Sequence, residues 1–297
     1  MQLSRAAGRR LVAGIPTVWL LLLFLVPFLI VFRISFSEVR LAIPPYTPLI
    51  TWHHGSPSLQ VHWSAYSFLF TDSLYVSSYL YSLKVAAVST LCCLLIGYPM
   101  AYAIARASAS WRSVLLMLIV LPFWTSFLLR VYAWIGLLNN NGVINNALLA
   151  LGLIHRPLAL MQTDFAVYIG IVYSYLPFMI LPLYANLEKH DPSLLEAAAD
   201  LGARPFWGFL RITLPLSYPG ILAGSLLVFI PAVGEYVIPT LLGRTDQLMI
   251  GRVLSDEFFE NRDWPVASAV AILILLLLLV PILLFQRVQR RELEASK

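Results

Sequence analysis

A single carboxylate stands out against a long apolar background. Glu235 interrupts a stretch that is otherwise uncharged from 212 to 243. A carboxylate at the centre of a bilayer costs about 2.5–3.5 kcal/mol on insertion scales, so it faces protein, water or a pathway. Counted from Pro219 at about 1.5 Å per residue, it sits roughly 24 Å along a helix, in the outer part of a membrane. Three uses compete. Glu235 offers negative charge to a cation entering from outside, with aromatic neighbours adding cation–π contact; or it forms an internal salt bridge to Arg130; or it snorkels. Tyr236 is its neighbour, and Tyr132 and Trp134 lie just beyond Arg130. Those rings either line the same pathway or belong to an interfacial aromatic belt.

Other reactive types are present without a pattern that makes them chemistry. Asp256, Glu257 and Glu260, with Asp263 beyond, form a small acidic cluster relieved by Arg252 and Arg262. It is either solvated or a docking surface for a partner protein. His53, His54 and His62 have no acidic or thiol partner at metal-ligand spacing and read as polar surface. Cys92 and Cys93 are adjacent inside an apolar block and read as small core residues. The three lysines, Lys84, Lys189 and Lys297, never follow a Gly-x-x-x-x-Gly, so there is no phosphate-binding loop. No Ser/His/Asp set or pair of carboxylates assembles with any specificity. If the chain works with ATP, hydrolysis belongs on a separate chain.

The elements that must hold these residues are membrane helices. Of 297 residues, 60% are hydrophobic and 12% charged, against about 25% charged in a soluble domain. That leaves too little polar surface to coat a globule, which excludes a soluble enzyme, a disordered chain and a nucleic-acid binder. Uncharged runs at 11–32, 85–104, 113–129, 165–187, 212–234 and 266–285 predict six spans. The third continues past Arg130 to 138 and the fifth past Glu235 to 243. Prolines 16, 27, 99, 122, 177, 182, 231 and 281 fall inside these runs and predict kinks rather than breaks, because neighbouring helices can re-satisfy the freed carbonyls. The first run is too long for a secretory signal and has no A-x-A-like cleavage site, so it reads as an uncleaved anchor. Twelve Lys and Arg fall on the side of both termini and eight on the other, which predicts cytoplasmic termini. Segment 37–78 is then outward. Segment 139–164 opens on an Asn139-to-Gly142 turn signal, and 143–153 predicts a short interfacial helix.

The loop between the fourth and fifth spans carries the strongest signal. Ser193-x-x-Glu196 fits a capping box, and Asp191-Pro192 is a second possible start. Leu194, Leu195, Ala198 and Leu201 share one face. Gly202 stands where a left-handed cap belongs. Pro205 can open a second helix bearing Phe206, Trp207, Phe209 and Leu210. The element is shaped for docking, unless it is an ordinary interfacial or re-entrant loop.

Glu196-Ala197-Ala198, Gly202 after three intervening residues and Ile212-x-Leu214-Pro215 after nine more resemble the EAA motif of ABC-importer permease subunits. The resemblance covers roughly 80–286. Segments 121–134, 229–243 and 251–271 are similar to the polyamine branch, most of all its putrescine permeases. The resemblance implies an all-α polytopic protein with six transmembrane helices and the type I ABC importer permease fold. It implies a cytoplasmic N-terminus and first helix (1–36), a periplasmic segment (37–79) and a core permease domain (80–286) with its coupling loop at 188–215. A cytoplasmic tail (287–297) follows. It also implies ATPase coupling by Glu196, Ala197, Ala198, Asp200, Gly202, Ile212, Leu214 and Pro215. Expected partners are membrane lipid, a homologous second permease, two copies of a cytoplasmic ABC ATPase and a periplasmic binding protein meeting Asp256, Glu257 and Glu260. ATP and Mg would sit on the ATPase, with no cofactor on this chain, in a bacterial inner membrane. Spermidine or another small organic solute is the alternative cargo. From other classes, a self-sufficient secondary transporter or channel would need ion-coupling residues on several helices, and a membrane-embedded enzyme a catalytic constellation.

Overall fold

A computed structural model describes residues 5–53 and 56–295. His54 and Lys297 lie outside the described residues, as do the side chains of His53, Arg5, Arg9, Arg10, Arg290 and Arg291. The helices are α1 (Arg5–Leu20), α2 (Val26–Ile34), α3 (Ser64–Thr71), α4 (Ser73–Arg106), α5 (Ala109–Val120), α6 (Phe127–Leu138), α7 (Val143–Ala150) and α8 (Asp164–Leu187). They continue as α9 (Ser193–Asp200), α10 (Pro205–Gly208), α11 (Leu214–Leu216), α12 (Tyr218–Val233), α13 (Val237–Leu242), α14 (Ile250–Phe259) and α15 (Trp264–Ala295). A short hairpin pairs β1 (Ile50–His53) with β2 (Ser56–Leu59), Ile50 opposite Leu59.

Four described helical stretches are long and apolar enough to cross a membrane, and six result if each of two bent pairs is one span. The expected third span is bent by 89° between its α5 and α6 halves, and α10–α11 meets α12 at 63°. Pro122 lies in a 3-10 turn at 121–124, after which Thr125 is extended. Here the proline accompanies a break rather than a kink. Prolines 16, 99, 177, 182, 231 and 281 stay inside helices as expected. Pro27 sits in the first turn of α2, just after a π turn at 21–25. The second span begins earlier than its uncharged run, because α4 is already helical from Ser73 and runs through residues 79 and 80. The fifth begins later, at Tyr218, and stops at Val233.

The chain forms two compact units, 1–76 with 254–277, and 77–253 with 278–297. In the first unit, nothing within 12–34 is buried in its most apolar window, as suits a helix facing lipid. Phe36 meets Trp63 and Tyr66, and Ser35 Oγ lies 2.8 Å from the Tyr66 hydroxyl. Glu38 pairs with His62 at 2.9 Å. Trp264 stacks on Phe258 at 5.1 Å. Asp263 accepts from the Val266 N–H at 3.0 Å, capping α15, and burial raises its carboxyl above the ordinary range.

In the second unit α12 packs along α8. One core cluster gathers Val85, Leu138, Ile171, Ile238 and Leu242; another gathers Cys93, Ile104, Met179, Ile180 and Leu183. Cys93 is fully buried among apolar groups. Thr163 caps α8 by accepting from the Ala166 N–H at 3.3 Å, and Asp164 in its first turn accepts from the Tyr81 hydroxyl at 2.9 Å. The short helix expected at 143–153 is α7, which ends at Ala150.

Candidate coupling loop and translocation pathway

The loop after α8 is built from local rules. Asp191 Oδ1 accepts the Ser193 N–H at 2.9 Å. The start of α9 is therefore the Asp191-Pro192 alternative, and no side-chain capping bond from Ser193 joins it. The hydrogen bonds from Ser193 hold the exposed Asp191 carboxyl below its ordinary range. This contribution is complete at neutral pH and is lost only as pH falls through the lowered value. At the other end Gly202 has φ +80°. Gly202 N–H donates to Ala199 O and Ala203 N–H to Ala198 O, both at 2.9 Å. Those two bonds form a Schellman cap, which favours glycine at the left-handed position.

The four apolar residues of α9 do not share one fate. Leu195 turns inward, near where a Gly208 Cβ would lie, and with Ala198 lines a cleft of about 260 Å³. Leu194 is exposed, and Leu201 is 89% exposed. Leu201 lies just beyond the end of α9, and Leu194 and Leu195 point about 100° apart around the helix. Glu196, Ala197, Asp200 and Gly202 are exposed with them; Ala198, Ile212 and Leu214 are half-buried, and Pro215 is exposed. The EAA-like residues thus split into a solvent face on α9 and an anchor at 208–217.

The anchor involves residues that sequence reasoning missed. Phe209 lies edge-on between Tyr98 and Tyr102 of α4, at 5.6 and 6.2 Å. The Tyr98 hydroxyl is 2.8 Å from Ser217 Oγ, which donates to Thr213 O. Arg112 grips Glu188 at 2.8 Å and the carbonyls of Ala105 and Ala107. His190 Nε2 lies 3.2 Å from Leu216 O. A tyrosine four residues from another on a membrane helix was the only available signal. Tyr98→Phe removes one interhelical hydrogen bond, worth about 0.6 kcal/mol on average in membranes. A correspondingly small drop in Tm of the detergent-purified protein is expected, with the loop still folded.

Glu235 occupies a break, not a helix. After Val233 the chain turns at Gly234, and α13 starts at Val237. Glu235 Oε1 accepts the N–H groups of Val237 and Ile238 at 3.0 and 3.4 Å, while Oε2 accepts the Tyr175 hydroxyl. The carboxylate is 7% exposed. Of the three competing uses, the ion pair with Arg130 is not seen among the described residues. Arg130 instead lies over the rings of Phe123 and Phe127, 5.0 and 5.8 Å from their centroids. The helix counted from Pro219 ends at Val233, so only the last two residues of that count, Gly234 and Glu235, are non-helical. Of the other pathway candidates, Tyr236 and Tyr132 are about half exposed. Trp134 packs edge-on against Tyr173 at 5.6 Å. None of the three donates to Glu235 in the described structure. Tyr175, 60 residues away, does.

The acidic cluster is only partly free. Glu257 accepts from Tyr75 at 2.7 Å and from Asn261 at 3.0 Å. Asp256 accepts the Glu260 and Asn261 N–H groups through its backbone carbonyl, and Glu260 is exposed.

Residues 10–294 match the binding-protein-dependent transport system inner membrane component family, and the chain belongs to it. It is 39% identical over 98% of its length, and 97% of the relative's, to the spermidine/putrescine transport system permease protein PotB of Haemophilus influenzae. It is 43% identical to PotB of Escherichia coli over 74% of this chain and 80% of that one. A bacterial alginate ABC transporter, solved with an alginate pentasaccharide-bound periplasmic protein, superposes with TM-score 0.73 at 18% identity over 98% of both chains. The MetNI methionine transporter in its inward-facing form gives TM-score 0.54 at 17% identity, over 73% of this chain and 95% of that one. The protein is therefore a multi-pass inner-membrane permease subunit of an ABC importer, with the type I fold, and not the ATPase.

Proposed function

We propose that this chain carries a polyamine, putrescine first, into the cytoplasm as one of two permeases in a binding-protein-dependent importer. The observation that carries the cargo reading is 39% identity over nearly the whole chain to a spermidine/putrescine permease. A buried carboxylate beside aromatic rings suits an ammonium cargo. Both termini are cytoplasmic in this reading. Two ATPase copies hold the α9 loop of this chain and of its homologous partner, touching Glu196, Ala197, Ala198, Asp200 and Gly202. Ile212, Leu214 and Pro215 connect that grip to the bundle. ATP and Mg stay on the ATPase. A periplasmic binding protein delivers cargo above, near Asp256, Glu257 and Glu260. Closure of the ATPase pair moves the two loops together and rocks the bundle from inward-open to outward-open. The task is alternating access, with no covalent step on this chain.

The test is ATP hydrolysis by the purified complex with its binding protein, in the presence of putrescine, spermidine or an uncharged solute. Stimulation by putrescine, with spermidine weaker, is expected; equal silence toward both amines removes the cargo reading. Glu235→Gln keeps the shape and removes the charge. Hydrogen bonds to a charged group contribute about 1.5–3 kcal/mol, so uptake of the diamine is expected to fall about tenfold or more. Unchanged uptake kinetics would take Glu235 out of the pathway.

A further inference from the structure

The first unit holds a cleft that the function proposed above leaves unused. None of its lining residues belongs to the Glu235 break or to the coupling loop. Its volume is about 640 Å³, within the range of about 300–1,000 Å³ usual for small-molecule sites. Three segments wall it: residues 37–39 after α2, the helix α3, and the start of α15. Val39 bridges to Tyr46, whose ring lies 6.0 Å from that of Trp264, so the first and third segments are tied together.

The polar lining presents acceptors. Glu38 and Asp263 bring two carboxylates. The Ser67 hydroxyl donates its proton to Ser64 O at 2.9 Å, and the Thr71 hydroxyl donates to Ser67 O at 2.7 Å. Both hydroxyls therefore keep only lone pairs for a ligand. No Lys or Arg lines the cleft, and among the described residues none pairs with either carboxylate. Ser37 also lines it; that residue is 1% exposed, and its hydroxyl is buried without a hydrogen-bond partner. A buried polar group left unpaired costs free energy that a ligand N–H would recover. The rest of the wall is largely apolar and includes the ring of Phe68.

An alkylammonium fits this lining. It has three N–H donors and no acceptor, its methylenes suit the apolar wall, and the Phe68 ring adds a cation–π face. A divalent metal fits less well, because among the described residues no three His, Cys, Asp or Glu side chains converge on one point. A phospholipid headgroup also fits less well, because its phosphate would meet two carboxylates and no cation. We propose that the cleft is an outer receiving site for a primary alkylammonium, held by Glu38 and Asp263 with the Ser37, Ser67 and Thr71 hydroxyls. This deepens the polyamine reading and rests on it, and on the orientation that puts residues 37–79 outside.

The test is calorimetric titration of putrescine into the permease–ATPase complex in phosphatidylcholine nanodiscs, without the binding protein. Asp263→Asn keeps an oxygen to cap α15 and removes the charge; it is expected to weaken binding about tenfold. Thr71 is exposed and tolerates a longer side chain. Thr71→Lys puts a tethered ammonium in the cleft and is expected to abolish the signal. If both variants titrate like the wild type, the proposal is overturned. An Asp263→Asn complex that keeps its putrescine affinity but loses the binding protein marks a docking face and also overturns it. Phosphatidylethanolamine added to the discs is expected to leave the affinity unchanged; loss of the signal there assigns the cleft to a lipid headgroup instead. A wild-type complex that gives no putrescine signal overturns the cleft alone when the amine still stimulates ATP hydrolysis with the binding protein present. Silence in both assays removes the polyamine reading as well.

Discussion

Replacing Gly251 by valine is expected to abolish uptake, to below about one-tenth of the wild-type rate, and to reduce recovery of the assembled complex. A Cβ at 251 would lie 2.3 Å from Gly234 O, 2.7 Å from Gly234 C and 2.8 Å from Glu235 O. All three atoms are backbone, so no rotamer change relieves the clash. Overpacking in a well-packed interior costs typically about 1–3 kcal/mol, and a fixed backbone neighbour puts this case at the upper end. The atoms displaced belong to the break that presents Glu235 to the α13 N–H groups and to Tyr175. The defect should therefore reach transport even where the protein still inserts. Gly251→Ala is expected to fall between valine and wild type. Gly136→Ala is the control, because nothing lies within 4 Å of its Cβ position. Uptake into proteoliposomes, set against Tm of the purified complex, separates a pathway defect from simple misfolding. A valine variant with full uptake would mean that the break has no part in translocation.

The Leu201→Asp chain is expected to fold and insert normally and to lose its ATPase. Leu201 is 89% exposed and follows directly on α9. Burying a leucine side chain contributes about 1.5–3 kcal/mol. Placing a carboxylate in the same contact removes that and adds a desolvation penalty. ATPase affinity should drop by at least about tenfold, read by co-purification, while Tm of the permease stays unchanged. Leu195→Asp should reverse the pattern, because Leu195 packs against the chain's own Gly208. An L201D complex that keeps its ATPase and its uptake would show that the exposed face of α9 is not the gripped one.

What could be read from the sequence follows the range of the interactions involved. The α9 loop was readable because its determinants are local: Asp191 two residues before the N–H it accepts, and Gly202 at the left-handed conformation that closes a Schellman cap. Even there the choice between Asp191 and Ser193 as starter was decided by geometry, and the apolar face split because Leu194 and Leu201 turn away from the chain's own anchor. The apolar spans were readable from composition. Whether Pro122 kinks or breaks its span was not, because the outcome depends on how the chain at 121–126 satisfies the freed backbone groups. Glu235 was conspicuous as a lone charge, but its partner was not. Tyr175 sits in another helix among many aromatics, and nothing periodic marks it. The same reason hid Arg130: an ion pair with Glu235 was one of three open readings, and the rings of Phe123 and Phe127 hold the cation instead. Segment 37–78 gave no motif, since its order rests on pairings such as Glu38 with His62 and Phe36 with Trp63 that span two dozen residues.

Arg112 carries a mechanical consequence. One guanidinium fastens the carbonyls at the end of α4 to Glu188, the acid that follows α8 and opens the proposed coupling loop. Force applied to that loop is thus shared between two helices from the outset, as through a rivet. Compliance must then lie elsewhere along the load path, and the non-helical joints at 125–126 and 234–236 are where the backbone has slack to supply it.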